Sequence, residues 1–202
     1  MEKTCLPIDK QDVIRFFDMA AATWDADMIC SAPVVNRILD GARVRSGTDV
    51  LDVACGTGVL FPFYLDRGVR SITAIDISPK MAEIAGQKAQ GKPVTVICGD
   101  AETFSFGRRF DCAVIYNAYP HFADPANMIR SVAKWILPGG TLTVAHGMST
   151  EALRLCHSGE ASRISRDLPE PEKLASLFPP CFDVKITVSD DEMYQVTGMR
   201  RT

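Results

Sequence analysis

The apolar positions of this chain change their period partway along. Over the first forty-five residues they fall at helical spacing. Val13, Phe16, Phe17 and Ala20 form one stripe. Val34, Val35, Ile38 and Leu39 form a second, which follows Pro33 and stops at Gly41. From Asp49 onward, short and nearly continuous apolar runs rich in Val and Ile take over, at 50–54, 72–77, 94–98, 112–116 and 142–145. Such runs predict parallel strands buried on both faces. Helical patterns lie between them near 59–67, 79–89 and 124–137, and strand–helix alternation of this kind predicts a doubly wound α/β sheet. The end of the chain differs. Helices are expected from 149 to about 157 and over 171–178, then two strands at 182–188 and 194–199. Asp190-Asp191 marks the turn of an antiparallel hairpin.

A chain of 202 residues with 47% apolar residues can bury one full core. The net charge is −3 and Lys and Arg are not concentrated anywhere, so the basic face of a duplex nucleic-acid binder is missing. The seven cysteines (Cys5, Cys30, Cys55, Cys98, Cys112, Cys156, Cys181) are odd in number and form no C-x-x-C pair, which predicts reduced, mostly buried thiols. The first ten residues lack a secretory apolar core, and no apolar run approaches the ~20 residues that cross a bilayer. A cytoplasmic protein without a membrane partner is expected.

The strongest local signal is Asp52-Val53-Ala54-Cys55-Gly56-Thr57-Gly58, at the end of the first parallel strand and directly before a helix. Glycines let the backbone turn tightly and approach a ligand, and the helix start offers unpaired N–H groups. Gly-x-Gly also occurs in plain turns. Asp76 strengthens the ligand reading. It ends the second strand eighteen residues after Gly58, where an acid accepts hydrogen bonds from ribose hydroxyls. The competing role of helix N-cap is better filled by Ser78, ahead of Pro79. A dinucleotide site wants a small residue three after the second glycine; Phe61 stands there and argues against NAD.

Four motifs in order resemble the class I S-adenosylmethionine-dependent methyltransferases, especially the small-molecule group related to the ubiquinone-biosynthesis methyltransferases. They are Val50-Leu51-Asp52-Val53-Ala54-Cys55-Gly56-Thr57-Gly58; Ala74-Ile75-Asp76-Ile77-Ser78 with Pro79-Lys80-Met81; Gly99-Asp100-Ala101-Glu102; and Phe110-Asp111-Cys112-Ala113-Val114-Ile115, leading to Leu137-Pro138-Gly139-Gly140-Thr141-Leu142. The resemblance spans about 48–147. It implies a Rossmann-like seven-stranded sheet whose last strand is antiparallel, with residues 46–202 as the methyltransferase domain and 1–45 as a short helical lid. It also implies S-adenosylmethionine as cofactor and a small-molecule methyl acceptor. Carried over by position, Asp52, Ala54, Cys55, Gly56, Thr57 and Gly58 surround the methionine end. Asp76 binds the ribose, and Ile77 and Met81 lie on the adenine. Asp100, with Ala101 beside it, accepts from the adenine amino group, and Asn117 lines the sulfonium. Phe17 and Trp24 are lid contacts, though a core role suits Phe17.

The chain departs from the family in places. Many relatives carry Gly at the position of Ala54. After the fourth strand, Asn117-Ala118-Tyr119-Pro120-His121-Phe122 keeps one histidine and is not the Pro-Pro-aromatic motif of amino-DNA methyltransferases, so base flipping is unsupported.

Methyl transfer from a sulfonium is an in-line displacement, which needs orientation first and a general base only if the nucleophile arrives protonated. His121 and His146 follow the fourth and fifth strands, at the sheet edge where ligands bind. His121 is the first candidate base, His146 the second, and Tyr119 a candidate to orient the acceptor. Each also has a plain structural reading. His157, before Ser158-Gly159, suits a helix C-terminus. The spacing of the histidines does not suggest a metal site. A dinucleotide-dependent oxidoreductase and a non-catalytic member of the fold serving a protein partner remain the alternatives.

Overall fold

The computed structural model describes residues 8–28, 30–156 and 159–202. The five apolar runs form parallel strands: β1 (Asp49–Val53), β2 (Ser71–Asp76), β3 (Val94–Cys98), β4 (Phe110–Tyr116) and β5 (Ile136–His146). The closing hairpin is β6 (Phe182–Ser189) and β7 (Tyr194–Arg200), and β7 inserts beside β5. The sheet has seven strands in the order β3-β2-β1-β4-β5-β7-β6, and only β7 runs against its neighbours. After β3 the chain returns to place β4 on the other side of β1. The order therefore reverses between β1 and β4, and a crevice opens at their carboxyl ends.

Alternation along β1 sends successive side chains to opposite faces. Leu51 and Val53 join a core with α6 (Pro125–Ala133), α7 (Thr150–Cys156) and α8 (Pro171–Ala175). Val50 joins the other core, with α3 (Ala32–Gly41), α4 (Phe61–Asp66) and α5 (Pro79–Ala89). Asp52, in register with Val50, faces this second layer. The start of α5 follows from its sequence: Pro79 opens it, and the Ser78 hydroxyl accepts from the Met81 N–H at 3.2 Å.

The remaining helices are α1 (Lys10–Ala20) and the four-residue α2 (Trp24–Asp27), which no apolar periodicity announced. The lid expected over 1–45 divides here. Val35, Ile38 and Leu39 of α3 are fully buried against the sheet, so α3 belongs to the α/β layer, and α1 and α2 alone lie over the crevice.

Three other expectations need correction. β3 is an edge strand, with one neighbour, and is half-exposed rather than buried on both faces. β5 starts at Ile136, not 142, because pairing with β4 resumes at Phe110–Ile136 beyond an irregularity and takes in Pro138-Gly139-Gly140. Of the described cysteines, Cys55 and Cys112 are buried, but Cys30, Cys98 and Cys181 are exposed. Cys98 ends the edge strand and the other two lie in connections between elements. Among the described residues no helix is long and apolar enough to cross a membrane.

Candidate active site

The crevice at the ends of β1 and β4 is a cavity of about 950 Å³, counting open solvent at its mouth. Its floor is the loop after β1. Ala54 has φ 54° and Gly56 φ 54°, so the chain runs left-handed twice within three residues. This turn brings Ala54, Cys55 and Gly56 to the cavity wall. A Cβ at Gly56 would point toward Trp24, 3.8 Å from its Nε1, and would fill the space where a ligand can approach the backbone. Gly58 does a different job. It lies outside the cavity wall at φ 82°, and a Cβ there would collide with the Phe61 ring. Phe61 is 1% exposed, so the ring read against a dinucleotide packs on the glycine loop itself.

Asp76 closes β2 and tightens this loop. One carboxylate oxygen accepts from the Gly56 N–H and the other from the Ser78 N–H, each at 2.8 Å. An ionised carboxylate offers about four lone-pair sites, so acceptor capacity remains on the cavity side. Burial pushes its pKa up to about 6; the nearby Asp18 carboxylate adds to this, and the backbone N–H groups pull against it. Ile77, Met81, Gly99 and Ala101 line a mainly apolar slot beside it.

At the far end of the slot Asp100 accepts from the Glu102 N–H at 2.9 Å and from Lys10 Nζ at 2.6 Å. Lys10 also donates to Glu102 at 2.9 Å. Lys10 and Glu102 were not anticipated from sequence, and both line the cavity. Their partnership crosses about ninety residues, and nothing local in the chain signals it.

Three polar ties hold α1 and α2 over the cavity. Lys10 is the first. Asp18 accepts from the Ser78 hydroxyl at 2.5 Å and from the Lys80 N–H at 3.1 Å. Asp25 accepts from the Thr57 hydroxyl at 2.5 Å and pairs with Lys88 at 2.6 Å. Thr57 is 1% exposed and outside the cavity wall, so its hydroxyl serves this tie. Phe17, for which a core role was the expectation, lines the cavity together with Trp24, their ring centroids 5.4 Å apart.

Asp52 lies behind the loop. It is 2% exposed, does not line the cavity, and its Oδ2 has no hydrogen-bond partner among the described residues. The Tyr64 hydroxyl beside it is equally buried and is the polar group that faces this carboxyl. Burial, then the charge of Asp76, push the Asp52 pKa up to about 8, with Tyr64 opposing. Both causes favour the protonated form of Asp52.

The loop after β4 carries the remaining candidates. Asn117 adopts φ 53°, lines the cavity and accepts from the Gly147 N–H at 2.9 Å. His121 ends a single 3-10 turn, Tyr119–His121, and also lines the cavity, with Tyr116, Phe122 and Ala123 nearby in the wall. The expectation that Tyr119 and His146 reach the same space is not met. Tyr119 is 3% exposed, because the 3-10 turn directs it into the core. His146 is fully buried, with its ring 6.4 Å from that of Tyr194, because β7 covers the end of β5. Neither lines the cavity. His157 lies outside the described residues. Among the described residues no cluster of three or more His, Cys, Asp or Glu could hold a metal ion.

Residues 50–140 match the family model described as a methyltransferase domain. Residues 50–140 thus carry a class I S-adenosylmethionine-dependent methyltransferase domain. A malonyl-[acyl-carrier protein] O-methyltransferase of Acetivibrio thermocellus is 30% identical over 138 residues, covering 67% of this chain and 49% of that protein. A ubiquinone biosynthesis O-methyltransferase of Coxiella burnetii is 29% identical over 143 residues, covering 67% of this chain and 61% of that protein. This chain thus spans about half to three-fifths of the length of these relatives. The structure of DhpI in complex with SAH superimposes with a TM-score of 0.74 at 20% identity, over 95% of this chain and 96% of that one, which establishes the shared fold.

Proposed function

We propose that this protein binds S-adenosylmethionine across the crevice and transfers its methyl group to a small-molecule acceptor that arrives carrying a proton. The carrying observation is the geometry of the cavity. A left-handed glycine loop, a carboxylate ending β2, an apolar slot and a second carboxylate two residues after β3 line the same cavity. Asp76 suits ribose hydroxyls, and Ile77, Met81 and Ala101 suit the faces of an adenine. Asp100 keeps acceptor capacity for its amino group, and Asn117 with the Ala54–Gly56 backbone suits the methionine end. The bound cofactor supplies an activated methyl on a sulfonium with a good leaving group.

The chain's own work is orientation and exclusion of water. Val13, Phe17, Trp24 and Met28 of the N-terminal segment close one side, and Val59, Tyr116 and Phe122 the other. α1 and α2 act as the lid, held by Lys10, Asp18 and Asp25. A nucleophile held in line between these walls gains the benefit of proximity, worth up to roughly 7–11 kcal/mol in favourable model systems. His121 is the titratable side chain placed to take a proton from the acceptor, a contribution of typically ~10²–10⁴-fold. The names of the relatives, both O-methyltransferases, support an oxygen acceptor.

The test is transfer of label from S-adenosylmethionine to a panel of phenols, thiols, carboxylates and amines, by the native protein and by His121→Gln. The expected outcome is transfer to a protonated acceptor, reduced at least tenfold in the variant with cofactor affinity kept. Equal transfer by the variant removes His121 as the base; absence of any transfer contradicts the enzymatic reading.

A further inference from the structure

Among the described histidines His121 alone lines the cavity, and its orientation is set from outside the matched region 50–140. The element responsible is the stretch that follows the 3-10 turn Gly159–Arg163. Here the chain wraps around the loop after β4 with three hydrogen bonds. The Arg166 N–H donates to the Pro120 carbonyl at 3.0 Å, and the Arg166 guanidinium to the Ala123 carbonyl at 2.9 Å. The third joins His121 Nδ1 to the Ile164 carbonyl at 3.0 Å. Ser165 Oγ lies 3.2 Å from the same nitrogen.

A carbonyl oxygen can only accept, so the Nδ1 that faces it carries a proton. In a neutral imidazole the lone pair then resides on Nε2. Ser165 Oγ cannot donate to a protonated Nδ1 and shares its proton as a second acceptor. Ile164 and Ser165 are 3% and 7% exposed, so both contacts are shielded from competing water.

The same stretch is built into the lid. The Ile164 side chain packs with Ile8 and Val13, with Phe16 and Phe17 alongside. The Phe17 ring meets the His121 ring edge-on at 5.0 Å. One residue therefore contacts the underside of α1 with its side chain and fixes the histidine with its carbonyl.

We propose that Ser165, together with the Ile164 carbonyl, is a positioning group for His121: it holds the imidazole as the Nδ1–H tautomer and leaves Nε2 as the basic nitrogen for the acceptor's proton. This rests on the reading of His121 as the base, but it makes a separate claim about where a proton sits. Among the described residues, the charged groups on the elements packed here include Arg166, engaged with Ala123; the exposed Arg163 and Asp167 on the same stretch; and Lys10 of α1, paired with Asp100 and Glu102. A change at Ser165 leaves all of these in place.

The test is a two-bond proton–nitrogen correlation spectrum of the 15N-labelled full chain, followed from acid to alkaline pH. His121→Gln identifies the His121 signals. The expected spectrum of the native protein at alkaline pH shows Nδ1 protonated and Nε2 unprotonated. In Ser165→Ala the imidazolium loses one acceptor, so its titration midpoint falls by about half a unit, a shift corresponding to a weak charge-assisted hydrogen bond. A native spectrum with the proton on Nε2 overturns the proposal, whether or not the variant folds. An unmoved midpoint in folded Ser165→Ala removes Ser165 from it. Neither result depends on methyl transfer, so failure here is distinct from failure of His121 as the base.

Discussion

Replacing Asp52 by Asn probes the least comfortable group in the molecule. Its carboxyl is 2% exposed, its Oδ2 has no hydrogen-bond partner among the described residues, and burial pushes its pKa from the ordinary 3.8 up to about 8. Because the folded state holds this proton more tightly than the unfolded chain, folding takes up a proton between the two values. The stability contributed by Asp52 is complete below about pH 4 and is lost as pH rises toward about 8. Within that window each pH unit costs about 1.4 kcal/mol from this one group. Asn has nearly the same shape and does not titrate. Between pH 5 and pH 7 the stability of Asp52→Asn relative to the native protein should therefore rise by about 3 kcal/mol, two units at that slope. Asp76 titrates in both proteins and drops out of the difference. So does any fixed cost of placing an amide beside Tyr64. Urea unfolding of both proteins at the two pH values, without ligand, measures this double difference. Parallel pH dependence in the two proteins would refute a protonated Asp52.

Other consequences concern the loop and the lid. Gly58→Ala forces a side chain onto φ 82° and into the Phe61 ring; a loss of about 2–4 kcal/mol in urea unfolding is expected, and a loss under 1 would show that the loop relaxes. Ala54→Gly relieves a left-handed alanine at φ 54°, so a gain of about 0.5–1 kcal/mol is expected by the same assay despite the added chain entropy. Lys10→Met removes the tie to Asp100 and Glu102; amide exchange over Lys10–Ala20 should accelerate several-fold while β1 and β4 keep their protection, and unchanged exchange would mean the apolar contacts of Val13 hold α1 alone.

Much of this architecture is legible in the chain because its signals are local. Ser78 and Pro79 mark the start of α5, and the predicted span 79–89 matches. The apolar run 94–98 gives β3 its boundaries, although its place at the sheet edge depends on strand order, which no run encodes. Gly56, Asp76 and Asp100, three cavity residues within the four motifs, stand out in the sequence, whereas Glu102 of the same third motif was given no role there. What sequence could not give is the direction of a side chain once the strand ends. Tyr119 and His121 are two residues apart in one 3-10 turn, yet one enters the core and the other the cavity. His146 ends its strand beside the crevice, and only the insertion of β7 shows it to be buried. Thr57 and Gly58 belong to the loop motif but serve Asp25 and Phe61. Contacts across long stretches of chain, Lys10 with Asp100 or Ile164 with His121, leave no periodic trace at all.

Calorimetric titration of the native protein and of Asp76→Ala with S-adenosylhomocysteine, and with NAD as a control, bears most directly on the crevice as a nucleoside site. The expected result is saturable one-to-one binding of S-adenosylhomocysteine, weakened by on the order of 1–3 kcal/mol in the variant, with no response to NAD. Binding that the variant retains in full, or a response to NAD alone, would contradict it.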